Sequence, residues 1–401
     1  MHITGIVAEF DPFHRGHAYL IQQVRAQRPD ACVVAAMSGH FTQRGAPAAL
    51  RPSARAEMAL HCGADLVLEL PLPWAISSAE GFALGGCAVL RAAGAQALAF
   101  GSECGDAALL RRCAGALTRP DFPERLRAAL GSGVSFAAAR QRAVAELDSE
   151  AAAVLDLPND SLAVSYLCAA RALNWEPELL SVRRMGAAHN AAIPAEGFAS
   201  ASHVRDLLRR GAVDEAAALL PEPCRAILRR EWEAGLCPAS LEHCERGVLC
   251  RLRTMEKADF LALPDCSEGL EHRLFKAARS ARSVEEFCAA VRSRRCTHAR
   301  ARRLLLWSFL GLTAAHRPET VPFVRVLGLN ERGRAVLRER KRTCPLPVVT
   351  KPASVRDLSA EARTLLEREG RCADLWRLCL PGLEHSAAGS FWRSGPVVVM
   401  D

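Results

Sequence analysis

Lysine is nearly absent from this chain: of its 52 lysine and arginine residues only Lys257, Lys276, Lys341 and Lys351 are lysine. Tyrosine is scarcer still, with Tyr19 and Tyr166 alone, and aromatic residues make up 5% of the chain. That poverty excludes the aromatic-rich stacking surfaces by which many proteins hold single-stranded RNA. No apolar run is long enough to span a bilayer, and Met1 to Ile6 lacks the basic start and long apolar core of a secretory signal. A cytoplasmic location without membrane association is expected. The 16 cysteines contain no C-x-x-C pair. Cys237, Cys244 and Cys250 match no common zinc spacing, so no metal centre is expected from the thiols. They read as small buried hydrophobes in a reducing compartment. Internal repeats and low-complexity linkers are also missing.

What is present is an ordinary globular composition, 50% apolar and 24% charged, spread over 401 residues. That length exceeds one ordinary core and predicts two domains. The formal net charge of +8 is compatible with a polyanionic partner without demonstrating one.

Short apolar runs alternate with helical patterns through the first two hundred residues. Ile3 to Ala8, Ala31 to Met37, Leu66 to Leu70 and Ala97 to Phe100 read as strands. His17 to Arg28, Ala54 to Cys62 and Ala79 to Ala93 read as helices. This alternation predicts an α/β fold with a Rossmann-like parallel sheet wrapped by helices. After about Leu208 the pattern becomes helical, at Val213 to Leu220, Cys224 to Ala234, Val284 to Val291 and Ala299 to Gly311. The expected division is an ATP-binding domain over residues 1–210 and a mainly helical, basic domain over 211–401. A short extended element near Pro345 to Thr350 is expected to close the second domain.

Ligands in parallel sheets bind beyond the carboxyl ends of the strands. Glu9 to Gly16, Ser38 to Gly45 and Gly101 to Gly105 all follow strand ends and can converge. The most informative of these is Glu9-Phe10-Asp11-Pro12-Phe13-His14-Arg15-Gly16-His17, where two histidines flank a glycine at a strand-to-helix junction. Glycine permits close approach of backbone to a phosphate. A helix N-terminus offers free amides and a positive dipole end. Paired imidazoles can donate to a phosphoryl oxygen as charge develops on it. The competing role for His14 and His17 is to cap and pack the first helical turn.

The loop resembles the HxGH signature of the nucleotidyltransferase superfamily, whose members direct attack on the α-phosphate of ATP and release pyrophosphate. Ala199-Ser200-Ala201-Ser202-His203-Val204-Arg205 resembles the superfamily's second signature. Ser200 and Ser202 can cap a helix or bind phosphate, and Arg205 can steady pyrophosphate. An ordered set of further motifs narrows the resemblance. These are Met37 to Pro47, Arg55 to Ala59, Asp65 to Pro71, Phe100 to Glu103, Pro158 to Leu162, and Arg183 to Ala187 before His189. In the second half come Thr297 to Arg300, Arg325 to Asn330 and Leu346 to Lys351. From Ile3 to about Lys351 the chain resembles the bacterial tRNA(Met) cytidine acetate ligase family.

The resemblance implies activation of acetate by ATP to acetyl-adenylate, then N4-acetylation of the wobble cytidine of elongator tRNA(Met). It implies catalytic roles for His14 and His17. It also implies an ATP site built from Val7, Ala8, Glu9, Phe10, Asp11, Pro12, Phe13, His14, Arg15, Gly16, His17, Ala18, Tyr19 and Leu20, with Gly101, Asn159 and Arg184. Asn159 suits a base or ribose edge, and Arg184 a phosphate clamp. Asp11 stands where the family usually has Asn, and Arg15 where Asn is common. Asp11 is expected either to orient His14 or to hold Mg²⁺. Pro52 stands where a basic residue is expected, with Arg51 as the substitute.

In the second half Arg294 and Arg295 precede a predicted helix on which Arg300 and Arg303 share a face. The four are expected to meet tRNA phosphates. Two other readings remain open: a small-molecule adenylyltransferase of the same superfamily, and a non-catalytic RNA-binding protein.

Overall fold

In the computed structural model, which describes residues 1–131, 134–184, 199–266, 269–353 and 358–400, the apolar runs line up as one mainly parallel sheet. Its strands, with one separate hairpin, are β1 (Ile3–Ala8), β2 (Cys32–Ser38), the hairpin pair β3 (Phe41–Thr42) and β4 (Ala46–Pro47), β5 (Leu66–Leu70), β6 (Ala97–Ser102), β7 (Glu178–Arg183), β8 (Val324–Leu329), β9 (Val348–Val349) and β10 (Val397–Val398). The sheet order is β10-β8-β5-β2-β1-β6-β7, with β9 beside β8. Within this sheet every pair is parallel except β5 with β8.

The central strands are buried along their whole length, as expected where helices cover both faces. Alternate residues feed opposite cores. Cys32, Val34 and Ala36 pack on the side of the Ala79–Ala92 and Pro158–Ala172 helices. Val33, Ala35 and Met37 pack with Ile21 and Val24 of the Arg15–Gln27 helix and Met58 of the Pro52–His61 helix. A third core belongs to the later helices, around Phe287, Leu304 and Trp307, and draws in Phe41, Leu72 and Ile76. Two tryptophans tie this helical layer to the sheet layer. The Trp307 indole donates to the Ile76 carbonyl (3.1 Å), and the Trp376 indole to the Ala48 carbonyl (2.9 Å).

The sheet draws on both sides of Arg210. Beyond the helices, β8 inserts antiparallel against β5, joined there by a buried Arg325–Glu69 ion pair at 2.6 Å. The extended element expected near Pro345 to Thr350 exists as β9, but it pairs with β8 in this sheet rather than closing a separate helical unit. Among the described residues, no helix is long and apolar enough to cross a membrane.

Candidate functional site

The strand order reverses direction at β1, with β2 on one side and β6 on the other. Such a switch point opens a crevice beyond the carboxyl ends of the strands. A cavity of about 320 Å³ lies there. Its floor is Ile6 to Asp11; its walls carry His14, His17, Leu20, Gly101, Asn159, Arg184, Ser200, Ser202 and Arg205. Phe82, Phe100, Leu162 and Tyr166 make its apolar side.

The two histidines are held by their own helix. His14 is the N-cap of the Arg15–Gln27 helix, and its Nδ1 accepts the Gly16 amide at 3.0 Å. His17 folds back so that its Nδ1 accepts the His14 amide at 3.2 Å. The rings stack with centroids 3.8 Å apart and planes 17° from parallel. A β-carbon on Gly16 would stand 2.9 Å from Cε1 of His14, so glycine is what lets this ring lie over the turn. Burial, then Arg184 and Arg205, push the His14 pKa down to about 3. Burial, His14 and Arg184 hold His17 well below the usual imidazole range. Both rings are therefore neutral near pH 7. With each Nδ1 accepting, the ring hydrogen resides on Nε2, and that donor is what each ring has left to offer the cavity. Capping and phosphate donation are thus compatible roles of the same side chains, not alternatives.

Cationic groups face these rings from two sides. Arg205, on the Ala201–Arg209 helix, donates to the Asp11 carbonyl (2.5 Å) and lies 3.5 Å from its carboxylate. Asp11 also accepts the Ala49 amide at 2.6 Å. Its carboxylate is thereby engaged by Ala49 and Arg205, and the His14 Nδ1 is taken by Gly16. The expectation that Asp11 orients His14 is not met. Glu9 accepts the Gln43 amide at 2.6 Å, and burial raises its pKa. Among the described residues no cluster of three or more His, Cys, Asp or Glu could hold a metal ion.

Arg184 is reached through a reciprocal pair of acids. The Glu103 carboxylate accepts the amides of Asn159 (3.2 Å) and Asp160 (2.9 Å) and the Asn159 side chain (2.5 Å). The fully buried Asp160 carboxylate accepts in return the amides of Glu103 and Cys104, both at 2.9 Å, and the Ser102 hydroxyl at 2.5 Å. This lock fixes the end of β6 against the start of the Pro158–Ala172 helix. The Asn159 carbonyl oxygen then accepts Arg184 at 3.3 Å. Ser200 caps the Ala201–Arg209 helix by accepting the His203 amide at 3.2 Å, and its hydroxyl meets that of Ser202 at 2.9 Å.

The cavity thus gathers most of the expected contacts, but not all. Pro12, Phe13, Arg15, Gly16, Ala18 and Tyr19 do not line it. Phe13 is buried beside Phe10 and His17, and Arg15 donates to the Ala218 carbonyl at 2.9 Å. Arg51 does not substitute for a basic residue at Pro52. It makes a two-bond ion pair with buried Glu231 (2.7 and 2.8 Å). The arginine quartet does not form one exposed face. Arg294 and Arg295 are exposed, but Arg300 donates to the carbonyls of Arg295 (3.0 Å) and Asp265, and Arg303 is half-buried. Met185 to His189 lie outside the described residues.

Sequence reasoning assigned no contact to Gln43, Arg44, Phe82, Phe100 or Tyr166, all of which line the cavity. Gln43 and Arg44, in the turn between β3 and β4, belong to the Ser38 to Gly45 segment expected to converge on the site, without a contact assigned to either. Phe82 and Tyr166 read locally as helix core. Arg55 was also missed. This fully buried guanidinium donates to the carbonyls of Leu50 (3.0 Å), Glu9 (2.5 Å), Ser38 (3.0 Å) and Gly39. It ties the exits of β1 and β2 together beneath the cavity. Burial lowers its pKa, opposed by Asp11, Glu9 and Glu69.

Comparison with known proteins gives this geometry a context. The family model "HIGH Nucleotidyl Transferase" matches residues 1–389. The chain is 34% identical over 373 residues to the tRNA(Met) cytidine acetate ligase of Fervidobacterium nodosum, covering 90% of this chain and 87% of that protein. It is 36% identical over 398 residues to the enzyme of the same name from Syntrophotalea carbinolica, covering 96% and 91%. Two crystal structures of Thermotoga maritima TmcAL superpose along the full length of both chains at 30% identity. The apo form has a TM-score of 0.94, and the form bound with alpha-thio ATP 0.92.

Proposed function

Because this chain belongs to the tRNA(Met) cytidine acetate ligase family, we propose that it binds ATP in the β1–β6 cavity, forms acetyl-adenylate from acetate, and acetylates N4 of the wobble cytidine in elongator tRNA(Met). The observation that carries this reading is the stacked, neutral His14–His17 pair at the cavity wall.

The first step is attack of an acetate oxygen on the α-phosphorus. A new P–O bond forms and the bond to pyrophosphate breaks. Negative charge builds on the phosphoryl oxygens, where two neutral Nε2–H donors stabilise it without a proton leaving either ring. Arg184 and Arg205 supply the positive potential for the phosphates and the departing pyrophosphate. In the second step the cytidine amine attacks the acetyl carbonyl, AMP leaves with the bonding pair, and the amine loses a proton. Phe82, Phe100, Leu162 and Tyr166 offer the adenine an apolar wall, with Asn159 at a polar edge. Mg²⁺ enters, on this reading, only as a companion of the nucleotide phosphates.

The test is mass spectrometry of nucleosides from elongator tRNA(Met) incubated with protein, ATP and labelled acetate. Labelled N4-acetylcytidine and stoichiometric pyrophosphate are expected. Acetylation from acetyl-CoA with none from acetate and ATP would overturn the reading. Adenylation of a small metabolite with no tRNA product would favour a small-molecule adenylyltransferase instead.

A further inference from the structure

A second concavity of about 290 Å³ opens beside the nucleotide cavity and shares two of its residues, Arg44 and Arg205. Among the described residues, the other charged or ionisable side chains lining it are Arg209, His298 and Arg302, and no carboxylate lines it. Four segments build it. The β3–β4 hairpin supplies Arg44, Ala46 and Pro47; the Ala201–Arg209 helix supplies Arg205 and Arg209; the His298–Phe309 helix supplies His298, Ala299 and Arg302; and Ala239, Ser240 and Leu241 complete the wall.

The placement is held by close packing. Gly45 sits at the hairpin tip with φ +71°, and a β-carbon there would fall 2.6 Å from the backbone of Arg302 and Arg303. Only glycine both accepts that conformation and lets the hairpin press on the helix. Arg205 and Arg209 are one helical turn apart, about 6 Å along the axis. One faces the nucleotide cavity and both face the groove. His298 and Ala299 bring the positive end of a twelve-residue helix that has no acid in its first turn. Glu285 pairs with His298 (3.0 Å) and Arg302 (3.6 Å), and Asp206 lies 4.0 Å from Arg209. Neither acid lines the groove.

Cations on three elements, a helix N-terminus and no acid among the described lining residues suit a chain of phosphates rather than a single anion. We propose that this groove carries the phosphodiester backbone of the RNA strand that bears the acceptor cytidine. The strand turns at Arg44 and Arg205, where its base enters the nucleotide cavity. The proposal rests on the tRNA ligase reading above. It relocates the RNA contacts from Arg294, Arg295, Arg300 and Arg303 to Arg209, His298 and Arg302.

The experiment compares the full-length protein with Arg209→Gln/Arg302→Gln and, separately, Arg294→Gln/Arg295→Gln. Affinity for elongator tRNA(Met) is measured at several salt concentrations, beside acetate-dependent exchange of pyrophosphate into ATP. The groove variant should bind tRNA at least tenfold more weakly. Its salt dependence should flatten by roughly 0.7–0.9 in log–log slope per lost contact, while its exchange rate matches the unmodified protein. The exposed pair outside the groove should leave the slope unchanged. An unaltered slope in Arg209→Gln/Arg302→Gln, or an equal loss in the second variant, would overturn the proposal. Binding needs no chemistry, so absent acetylation by the unmodified protein would sink the ligase reading and leave the groove to be judged on its slope.

Discussion

His14 and His17 stack at 3.8 Å, and each uses Nδ1 to accept a backbone amide of the same helical turn. Two consequences follow from one geometry. The first turn of the helix is closed from both ends, and both rings are fixed in the tautomer that donates through Nε2. A motif that combines a cap with a phosphate donor separates under mutation. His14→Ala should lose the cap, about 0.5–2 kcal/mol of stability, together with roughly two to three orders of magnitude in turnover. His14→Asn keeps an N-cap acceptor but lacks the Nε2 donor. It should recover the melting temperature and not the turnover. Calorimetry and pyrophosphate release on both variants check this; full turnover in His14→Asn would reduce His14 to a cap.

The pH behaviour has a definite sign. Folded His14 has its pKa pushed down to about 3, and His17 and His40 are also lowered, by burial first in each case. Below about pH 6.5 the unfolded chain therefore binds more protons than the folded one. Stability present above that pH is lost as pH falls. Urea midpoints without nucleotide should drop steadily from pH 7 to pH 5. His14→Asn should show a shallower drop, and an identical slope would mean that His14 is not held neutral.

Glu369 works in the opposite direction. Its Oε1 accepts the Leu72 amide at 2.9 Å, its Oε2 has no partner among the described residues, and Glu69 lies close by. Burial, then Glu69, push its pKa up to about 8. The folded state keeps a proton that the unfolded state gives up, so this contribution is full below about pH 4.5 and lost as pH rises through 8. Glu369→Gln fixes the neutral form. It should be more stable than the parent at pH 9 and close to it at pH 5, measured by thermal melts. Equal losses from pH 5 to 9 in both proteins would show Glu369 ionised throughout.

Arg55 tests whether the cavity floor is built from below. Arg55→Met removes donors from carbonyls of Leu50, Glu9, Ser38 and Gly39. Each buried orphan costs about 1–3 kcal/mol, so a loss of more than about 2 kcal/mol is expected, with weaker ATP binding in the protein that remains folded. A urea midpoint within error of the parent would mean that the loops satisfy these carbonyls another way.

The sheet was legible from sequence where its strands are buried on both faces. Ile3–Ala8 and Leu66–Leu70 read as short, mostly apolar runs leading into loops that carry the site motifs, and the structure places strands over those spans. β7 was not legible, because Glu178 and Arg183 flank a short run with mixed exposure. β8 was not legible as a strand either. Arg325 interrupts its apolar run, and the partners that make that charge tolerable inside a sheet, Glu69, Ser394 and the Phe391 ring, are all distant in sequence. The same limit governs the site. Local motifs marked His14, Gly16 and His17 by their place after a strand, and marked Ser200 and Arg205 by their place at a helix start. Phe82 and Tyr166 carry no such mark, since facing a cavity and facing a core look alike in a helical pattern. The arginine quartet misled for a related reason. Helical spacing puts Arg300 and Arg303 on one face, but it does not reveal that this face turns toward Asp265 and the protein interior.

Asp11 gives a prediction that runs against the usual cost of mutating a binding loop. Its carboxylate lies in the nucleotide cavity, 3.5 Å from Arg205, and accepts the Ala49 amide at 2.6 Å. A negative charge there repels the phosphates directly and also neutralises part of Arg205. Asp11→Asn removes the charge while keeping an acceptor for Ala49, and the bond from Arg205 to the Asp11 main-chain carbonyl does not depend on the side chain. At an effective dielectric of about 20, relief of one charge several ångströms from the phosphates is worth on the order of 1–2 kcal/mol. ATP should bind roughly five- to thirtyfold more tightly, with the melting temperature little changed. The gain should shrink at high salt only modestly, because Asp11 is buried and salt screens a buried charge less than an exposed one. Titration calorimetry with ATP at low and high salt checks both points. Weaker ATP binding by a well-folded Asp11→Asn protein would mean that the carboxylate is needed to hold Arg205 in place, and that its repulsion of the phosphates is the smaller effect.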